Sequence, residues 1–159
     1  MKYLLKNGTF VSGDQMKKAD VLIENEKIAK TGPDLNDPEA VVIAVTGKLL
    51  FPGFIDAHTH FQLEGAGTVT ADNFDTGTRA AIKGGTTTVI DFATQYIGET
   101  LEKALENWHM RADGRSSCDY SFHMAISDWN EQTAESMEHM MEEGITSFKL
   151  YMTYQDMIL

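Results

Sequence analysis

Apolar residues come in short bursts along the first 50 positions. Tyr3-Leu4-Leu5, Thr9-Phe10-Val11 and Ala19-Asp20-Val21-Leu22-Ile23 are apolar or alternating, and polar turns separate them at Lys6-Asn7-Gly8, Ser12-Gly13-Asp14 and Glu24-Asn25-Glu26-Lys27. Lys27-Ile28-Ala29-Lys30 and Val41-Val42-Ile43-Ala44-Val45 continue the rhythm on either side of a loop from Thr31 to Pro38. Side chains in a strand repeat every two residues, and Gly, Asn and Asp tolerate tight turns, so this spacing predicts β-strands. Residues 1–50 therefore read as a small β-unit.

From Leu50 the rhythm changes. Leu50-Phe51-Pro52-Gly53-Phe54-Ile55-Asp56-Ala57-His58-Thr59-His60 predicts a strand ending in a His-x-His, and a polar loop follows at Glu64-Gly65-Ala66-Gly67-Thr68. A helix is expected from Asp72 to Lys83, with an acid in its first turn and Gly84-Gly85 as its stop. Thr86-Thr87-Thr88-Val89-Ile90-Asp91-Phe92 has the β-branched, apolar character of a strand buried on both faces. Leu101, Leu105, Trp108 and Ala112 recur at helical spacing. Tyr120–Ile126 predicts a third strand. Asp128 with Glu131 offers a capping box for a helix whose apolar stripe is Met137, Met140, Met141 and Ile145, with Gly144 at its end. Ile145–Met152 predicts a fourth strand.

The order βαβαβαβ over residues 51–159 predicts parallel strands with helices packed outside. A doubly wound sheet and a (β/α)8 barrel both fit. A complete barrel takes about 250 residues, and half of one leaves two parallel edges unpaired, an aggregation hazard. The expectation is the N-terminal portion of a longer, cleaved or divided protein.

Composition narrows the function classes. The 159 residues are 42% hydrophobic, enough for a core, and carry a net charge of −11. That balance disfavours nucleic acid, whose phosphates need Lys and Arg, and suits a small-molecule partner. One cysteine, Cys118, cannot make an internal disulfide, the N-terminus is too polar for a signal peptide, and no apolar run nears membrane-spanning length, so the cytoplasm is expected.

Two sequence features can carry chemistry. In a strand, Asp56, His58 and His60 point the same way, and two imidazoles at a strand's C-terminal end can grip one metal ion; a pair of surface histidines gives the same pattern. Lys149 interrupts an apolar strand. Burying an ammonium is costly, so such a lysine becomes neutral or finds a partner. A neutral amine can add carbon dioxide to give a carbamate that bridges two metals; a snorkelling or salt-bridged lysine is the plainer reading. In a barrel, catalytic groups sit at the C-terminal ends of strands, where His58, His60 and Asp91 fall, with His123 and Lys149 within the third and fourth strands.

Taken in order, Lys6-Asn7-Gly8, Ala19–Ile23, Pro52–His60, Gly67-Thr68-Val69-Thr70-Ala71-Asp72-Asn73-Phe74, Gly84-Gly85-Thr86-Thr87, Phe122-His123-Met124-Ala125 and Phe148-Lys149-Leu150-Tyr151-Met152 resemble the hydantoinase/dihydropyrimidinase family of cyclic amidohydrolases across essentially the whole chain. The resemblance implies an α/β fold: the N-terminal half of a TIM-like (β/α)8 metallo-hydrolase barrel over residues 51–159, preceded by strands of a small β-sandwich domain over 1–50. It implies metal ligands at His58, His60 and Lys149, with two zinc or manganese ions bridged by carboxylated Lys149. Tyr154, five residues after the lysine, would hydrogen-bond the substrate carbonyl. Leu63, Gly65, Tyr151 and Ile158 would lie near the pocket for the ring substituent, where Glu64 and Gly65 depart from the family's usual Pro and bulky apolar residue. Asp56 and Asp91 would support the ligands, and His123 reads as a satisfied core histidine. Gln62 fits the hydantoinase side better than the dihydroorotase or allantoinase patterns.

The implied activity is metal-dependent hydrolysis of dihydropyrimidines or 5-substituted hydantoins to N-carbamoyl amino acids, by a homotetramer that binds neither nucleic acid nor membrane. Its catalytic aspartate and two further histidine ligands would lie beyond residue 159, so this chain alone is expected to be inactive. The alternatives are a non-catalytic dihydropyrimidinase-like scaffold, an inactive fragment, or an allantoinase or dihydroorotase.

Overall fold

The structure, a computed structural model, describes residues 1–65 and 67–152. These fall into two compact units that divide between Pro52 and Gly53.

The first unit is a five-stranded sheet of β1 (Lys2–Ser12), β2 (Gln15–Glu24), β3 (Lys27–Gly32), β4 (Val41–Ala44) and β5 (Leu49–Leu50). The order is β3-β2-β1-β4; the first three strands form an antiparallel meander, and β4 and β5 pair in parallel with successive halves of β1. Two-residue loops at Gly13-Asp14 and Asn25-Glu26 join the meander. Asn25 and Glu26 both have positive φ, 49° and 65°, the backbone a primed hairpin turn demands.

Lys6-Asn7-Gly8 is not a turn. It lies inside β1 as a bulge, where the register shifts between Leu5 and Gly8 and Asn7 adopts φ 65°. The buried carboxylate of Asp20 stabilises that bulge: it accepts from Asn7 N at 2.8 Å and Leu35 N at 3.0 Å and pairs with Lys6 Nζ at 2.8 Å. Leu4, Ala19, Val21 and Val45 form the buried apolar centre of this unit.

The second unit holds β6 (Phe54–Asp56), a small hairpin of β7 (Glu64–Gly65) and β8 (Thr68–Val69), α1 (Phe74–Gly84), β9 (Thr86–Thr94), α2 (Leu101–Ala112), β10 (Asp119–Ile126), α3 (Glu131–Glu142) and β11 (Phe148–Leu150). The main sheet runs β6-β9-β10-β11, all parallel and in chain order, with one helix in each crossover. A doubly wound sheet reverses direction at a switch point; this one advances one strand at a time, as a barrel wall does.

The helix limits follow from capping. Asn73 caps α1 in a box with Thr76, Gly85 closes it at φ 93°, and Thr100 caps α2. The box expected between Asp128 and Glu131 does not form: Asn130 is the N-cap of α3, and Asp128 instead accepts from Gly98 N at 2.9 Å.

The core lies between sheet and helices. Leu101, Leu105, Trp108 and Ala112 of α2 all enter it, beside Phe74, Ala93, Phe122, Met124 and Ile126. Met140 and Ile145 join them and Met137 packs against the cluster, but Met141, a 100° step around the helix from Met140, faces solvent at 53% exposure. Two strands are shorter than the sequence predicts: β6 ends at Asp56, before the histidines, and β11 covers only Phe148–Leu150. Only the C-terminal half of β9, from Asp91 on, is buried throughout. Among the described residues, no helix is long and apolar enough to cross a membrane.

Candidate metal centre

Strand alternation does not orient the two histidines, because they lie past the end of β6. Hydrogen bonds to β9 do it instead. Thr59 N donates to Ile90 O at 3.1 Å, Thr59 Oγ1 to Asp91 Oδ2 at 3.0 Å, and Phe61 N to the same oxygen at 2.8 Å. Asp91 Oδ1 accepts from Phe92 N at 2.8 Å and from Trp108 Nε1 at 3.2 Å. Asp91 is fully buried. Burial pushes its pKa up from the ordinary 3.8, and the four donors pull it the other way. It is an anchor: one carboxylate ties the His-x-His segment to β9 and to α2. Asp56 adds a weaker tie, accepting from His58 N at 3.2 Å in an exposed setting.

The two imidazole centroids lie 5.0 Å apart with planes at 85°. His58 is exposed and His60 half-buried. His60 Nδ1 is buried with no hydrogen-bond partner. Burial, reinforced by the positive charge of Lys149, lowers the His60 pKa from the ordinary 6.5, which favours the neutral ring, and a neutral imidazole keeps one nitrogen lone pair free for a metal. Lys149, on β11, is half-buried, and no carboxylate of the described residues is within ion-pair distance of its Nζ. Its ammonium lies over two rings instead, 4.5 Å from the centroid of Phe92 and 5.0 Å from that of Tyr151.

These donors fit part of a metal shell. Two imidazoles suit zinc, and an orphaned buried nitrogen is costly unless something binds it. Among the described residues no group of three or more His, Cys, Asp and Glu side chains gathers to hold an ion. Lys149 becomes an oxygen donor only as its carbamate.

His123 is half-buried on β10, a step outside the core proper, and both of its ring nitrogens are engaged. Nε2 donates to Ala57 O at 2.9 Å, and Nδ1 bonds Ser147 Oγ. Ala57 O can only accept, so the proton sits on Nε2. Leu63 packs against the apolar core, and its N–H donates to Thr70 Oγ1 at 2.9 Å. Gly65 sits in the exposed β7–β8 hairpin, with open space where a Cβ would stand. Gln62 has φ 52°, and its carbonyl accepts from Arg111 at 2.8 Å. Burial raises the pKa of the Tyr151 phenol. Tyr154 and Ile158 lie outside the described residues.

One residue of this constellation is absent from the sequence reading. Phe92 is 5% exposed, and its ring centroid lies 4.6 Å from that of His58, 4.9 Å from His60 and 4.8 Å from His123. Asp91 shares a face with Ala93, toward the helices; Phe92 takes the opposite face, toward the histidines. The continuous apolar character of β9 conceals that alternation.

Four parallel strands in chain order, with a helix in each of the three crossovers between them, form part of a (β/α) barrel wall, with the imidazoles of His58 and His60 and the side chain of Lys149 gathered around Phe92. The chain belongs to the amidohydrolase family, whose model matches residues 49–155. It is 48% identical to the D-hydantoinase of Geobacillus stearothermophilus over 157 residues, covering 98% of this chain and 33% of that protein. It is 46% identical to the dihydropyrimidinase of Dictyostelium discoideum over 155 residues, covering 96% and 31%. The crystal structure of dihydropyrimidinase from Brevibacillus agri NCHU1002 superposes with a TM-score of 0.96 at 45% identity, over 100% of this chain and 35% of that one. The chain spans about a third of the length of the curated relatives it matches.

Proposed function

We propose that the whole protein containing this chain hydrolyses the cyclic amide bond of dihydropyrimidines or 5-substituted hydantoins, giving N-carbamoyl amino acids. The observation that carries this reading is the paired imidazoles of His58 and His60, with one buried nitrogen unpartnered, beside a lysine that has no carboxylate within ion-pair distance among the described residues. The names of the similar proteins, D-hydantoinase and dihydropyrimidinase, support the substrate class.

In this reading His58, His60 and the carbamate of Lys149 hold two zinc or manganese ions. When bound, the metals supply a hydroxide near neutral pH and polarise the ring carbonyl. The chain's own residues do the rest. Asp91 holds Thr59 and Phe61, and so His60 between them, in place. Tyr154 donates a hydrogen bond to the carbonyl oxygen as charge develops there, a preorganised stabilisation of the kind that often dominates catalysis. Water adds across the ring C–N bond: its oxygen ends in the carboxylate, one of its protons makes the leaving nitrogen the terminal NH2 of the carbamoyl group, and the other is released to solvent. Leu63, Gly65, Tyr151 and Ile158 shape the room for the ring substituent. The first unit joins a β-sandwich completed by the remainder of the protein, and the assembly is a cytoplasmic homotetramer.

The test is metal analysis and ring-opening turnover of the intact protein, wild type and Lys149→Ala. Expected are two metals per subunit, a carbon-dioxide adduct on Lys149, loss of turnover on chelation with recovery on adding metal back, and turnover below detection in the variant. Turnover that survives complete metal removal overturns the mechanism. A metal-free, inactive intact protein establishes the non-catalytic scaffold instead.

A further inference from the structure

Phe92 contacts more of the candidate centre than any ligand needs from a core residue. Its ring meets both imidazoles of the His-x-His, the ring of His123 and the ammonium of Lys149, the last at 4.5 Å from its centroid. These side chains come from three separate places: the segment after β6, the middle of β10, and β11. We propose that Phe92 is a positioning residue for the metal-binding side chains, a single ring against which His58, His60 and Lys149 are aligned. The proposal rests on the reading that these three residues bind metal.

Three observations carry it. First, the exposed ring of His58 has ring contacts only with His60 and Phe92 among the described residues. Asp56 bonds the His58 backbone, not its ring, so the ring's orientation depends on the aromatic contacts. Second, an aromatic face restrains an imidazole without capturing its nitrogens. His60 stacks on Phe92 at an interplanar angle of 29° and its Nδ1 stays without a partner. A side chain that met the imidazole with a hydrogen-bonding group instead of a ring face would compete for that nitrogen. Third, Phe92 follows Asp91 directly on β9, and successive side chains on a strand point to opposite faces. Asp91 therefore secures the backbone of the His-x-His from the helix side, while Phe92 secures its rings from the other.

The experiment compares Phe92→Leu, Phe92→Tyr and Phe122→Leu in the intact protein. Phe122 is an equally buried phenylalanine, 3% exposed, on the neighbouring strand, and its ring contacts are with Phe74, His109 and Tyr120 rather than the site. The readouts are zinc affinity by chelator competition and unfolding of the metal-free protein. Loss of a residue that orients metal ligands costs about 10- to 100-fold in metal affinity. Phe92→Leu is expected to lose zinc affinity in that range, while Phe122→Leu, with a comparable drop in unfolding temperature, keeps it. Phe92→Tyr retains the ring and is expected to stay close to wild type. Wild-type affinity in Phe92→Leu, or equal losses in the two leucine variants, overturns the proposal. If Phe92→Leu does not fold, a folded Phe92→Tyr decides: retained affinity supports the ring's role and lost affinity overturns it. A wild-type protein that binds no zinc overturns instead the metal reading beneath it.

Discussion

Replacing Asp91 by Asn changes one buried oxygen into an amide and leaves volume nearly untouched. The carboxylate accepts two donors on each oxygen: Phe92 N and Trp108 Nε1 on Oδ1, Thr59 Oγ1 and Phe61 N on Oδ2. If the new NH2 takes the Oδ1 position, it faces two donors that cannot reverse. If it takes the Oδ2 position, the Thr59 hydroxyl can rotate to accept, and only the Phe61 N–H is left without an acceptor. The second orientation therefore wins. A lost hydrogen bond to a charged group is worth about 1.5–3 kcal/mol, and relief from burying a charge offsets part of it. The net local cost is about 2 kcal/mol, or roughly 30-fold in an opening equilibrium at 1.4 kcal/mol per tenfold. The assay is amide hydrogen exchange in the intact protein, read at Phe61 and at Met124 of β10, whose N–H bonds the carbonyl of Ser147, just before β11, at 3.0 Å. Phe61 is expected to exchange about 30-fold faster by local opening, with Met124 little changed. Unchanged exchange at Phe61, or equal acceleration at both, refutes the idea that Asp91 acts as a local anchor.

Other substitutions probe the same architecture. Trp108→Phe keeps the buried ring but removes the indole donor to Asp91; a destabilisation of about 1–3 kcal/mol is expected in urea unfolding, and no change would show that this bond is dispensable. Gly77→Ala should gain about 1 kcal/mol of helix propensity, but the added Cβ falls within 2.6 Å of Phe61 Cδ1 and closer still to Cε1. Overpacking costs about 1–3 kcal/mol, so a lower unfolding temperature is expected and a higher one contradicts the packing. Asp20 gives a pH signature. The Lys6 side chain, then the Asn7 N–H, hold its pKa below the ordinary 3.8; its contribution is fully present above that value and is lost as pH falls through the lower folded value. Asp20→Asn should lose stability relative to wild type at neutral pH, with the gap closing in acid, and a gap that widens in acid refutes the assignment.

Much of this protein is legible in one dimension because its signals are local. Asn73 and Thr76 start a helix through their own backbone neighbours, Gly85 closes it because only a residue without Cβ takes φ 93° cheaply, and Leu101, Leu105, Trp108 and Ala112 bury together because 3.6 residues make a turn. His-x-His and a lysine in an apolar strand stand out as candidate donors for the same reason: their spacing and their cost of burial are written in the chain.

What the sequence misplaces depends on partners distant along it. Lys6-Asn7-Gly8 has the composition of a turn, yet it continues a strand, because the carboxylate of Asp20, thirteen residues along the chain from Asn7, stabilises a bulge there. Asn130 caps α3 because Asp128 is committed to Gly98. The order of strands, which separates a barrel wall from a doubly wound sheet, is a property of pairing and not of pattern. The sequence by itself determined where most elements form and which side chains are candidates for binding metal. Only the tertiary structure decided how they meet: the buried carboxylate of Asp91 and the ring of Phe92 are ordinary residues of an apolar strand until β9 is laid beside the His-x-His segment.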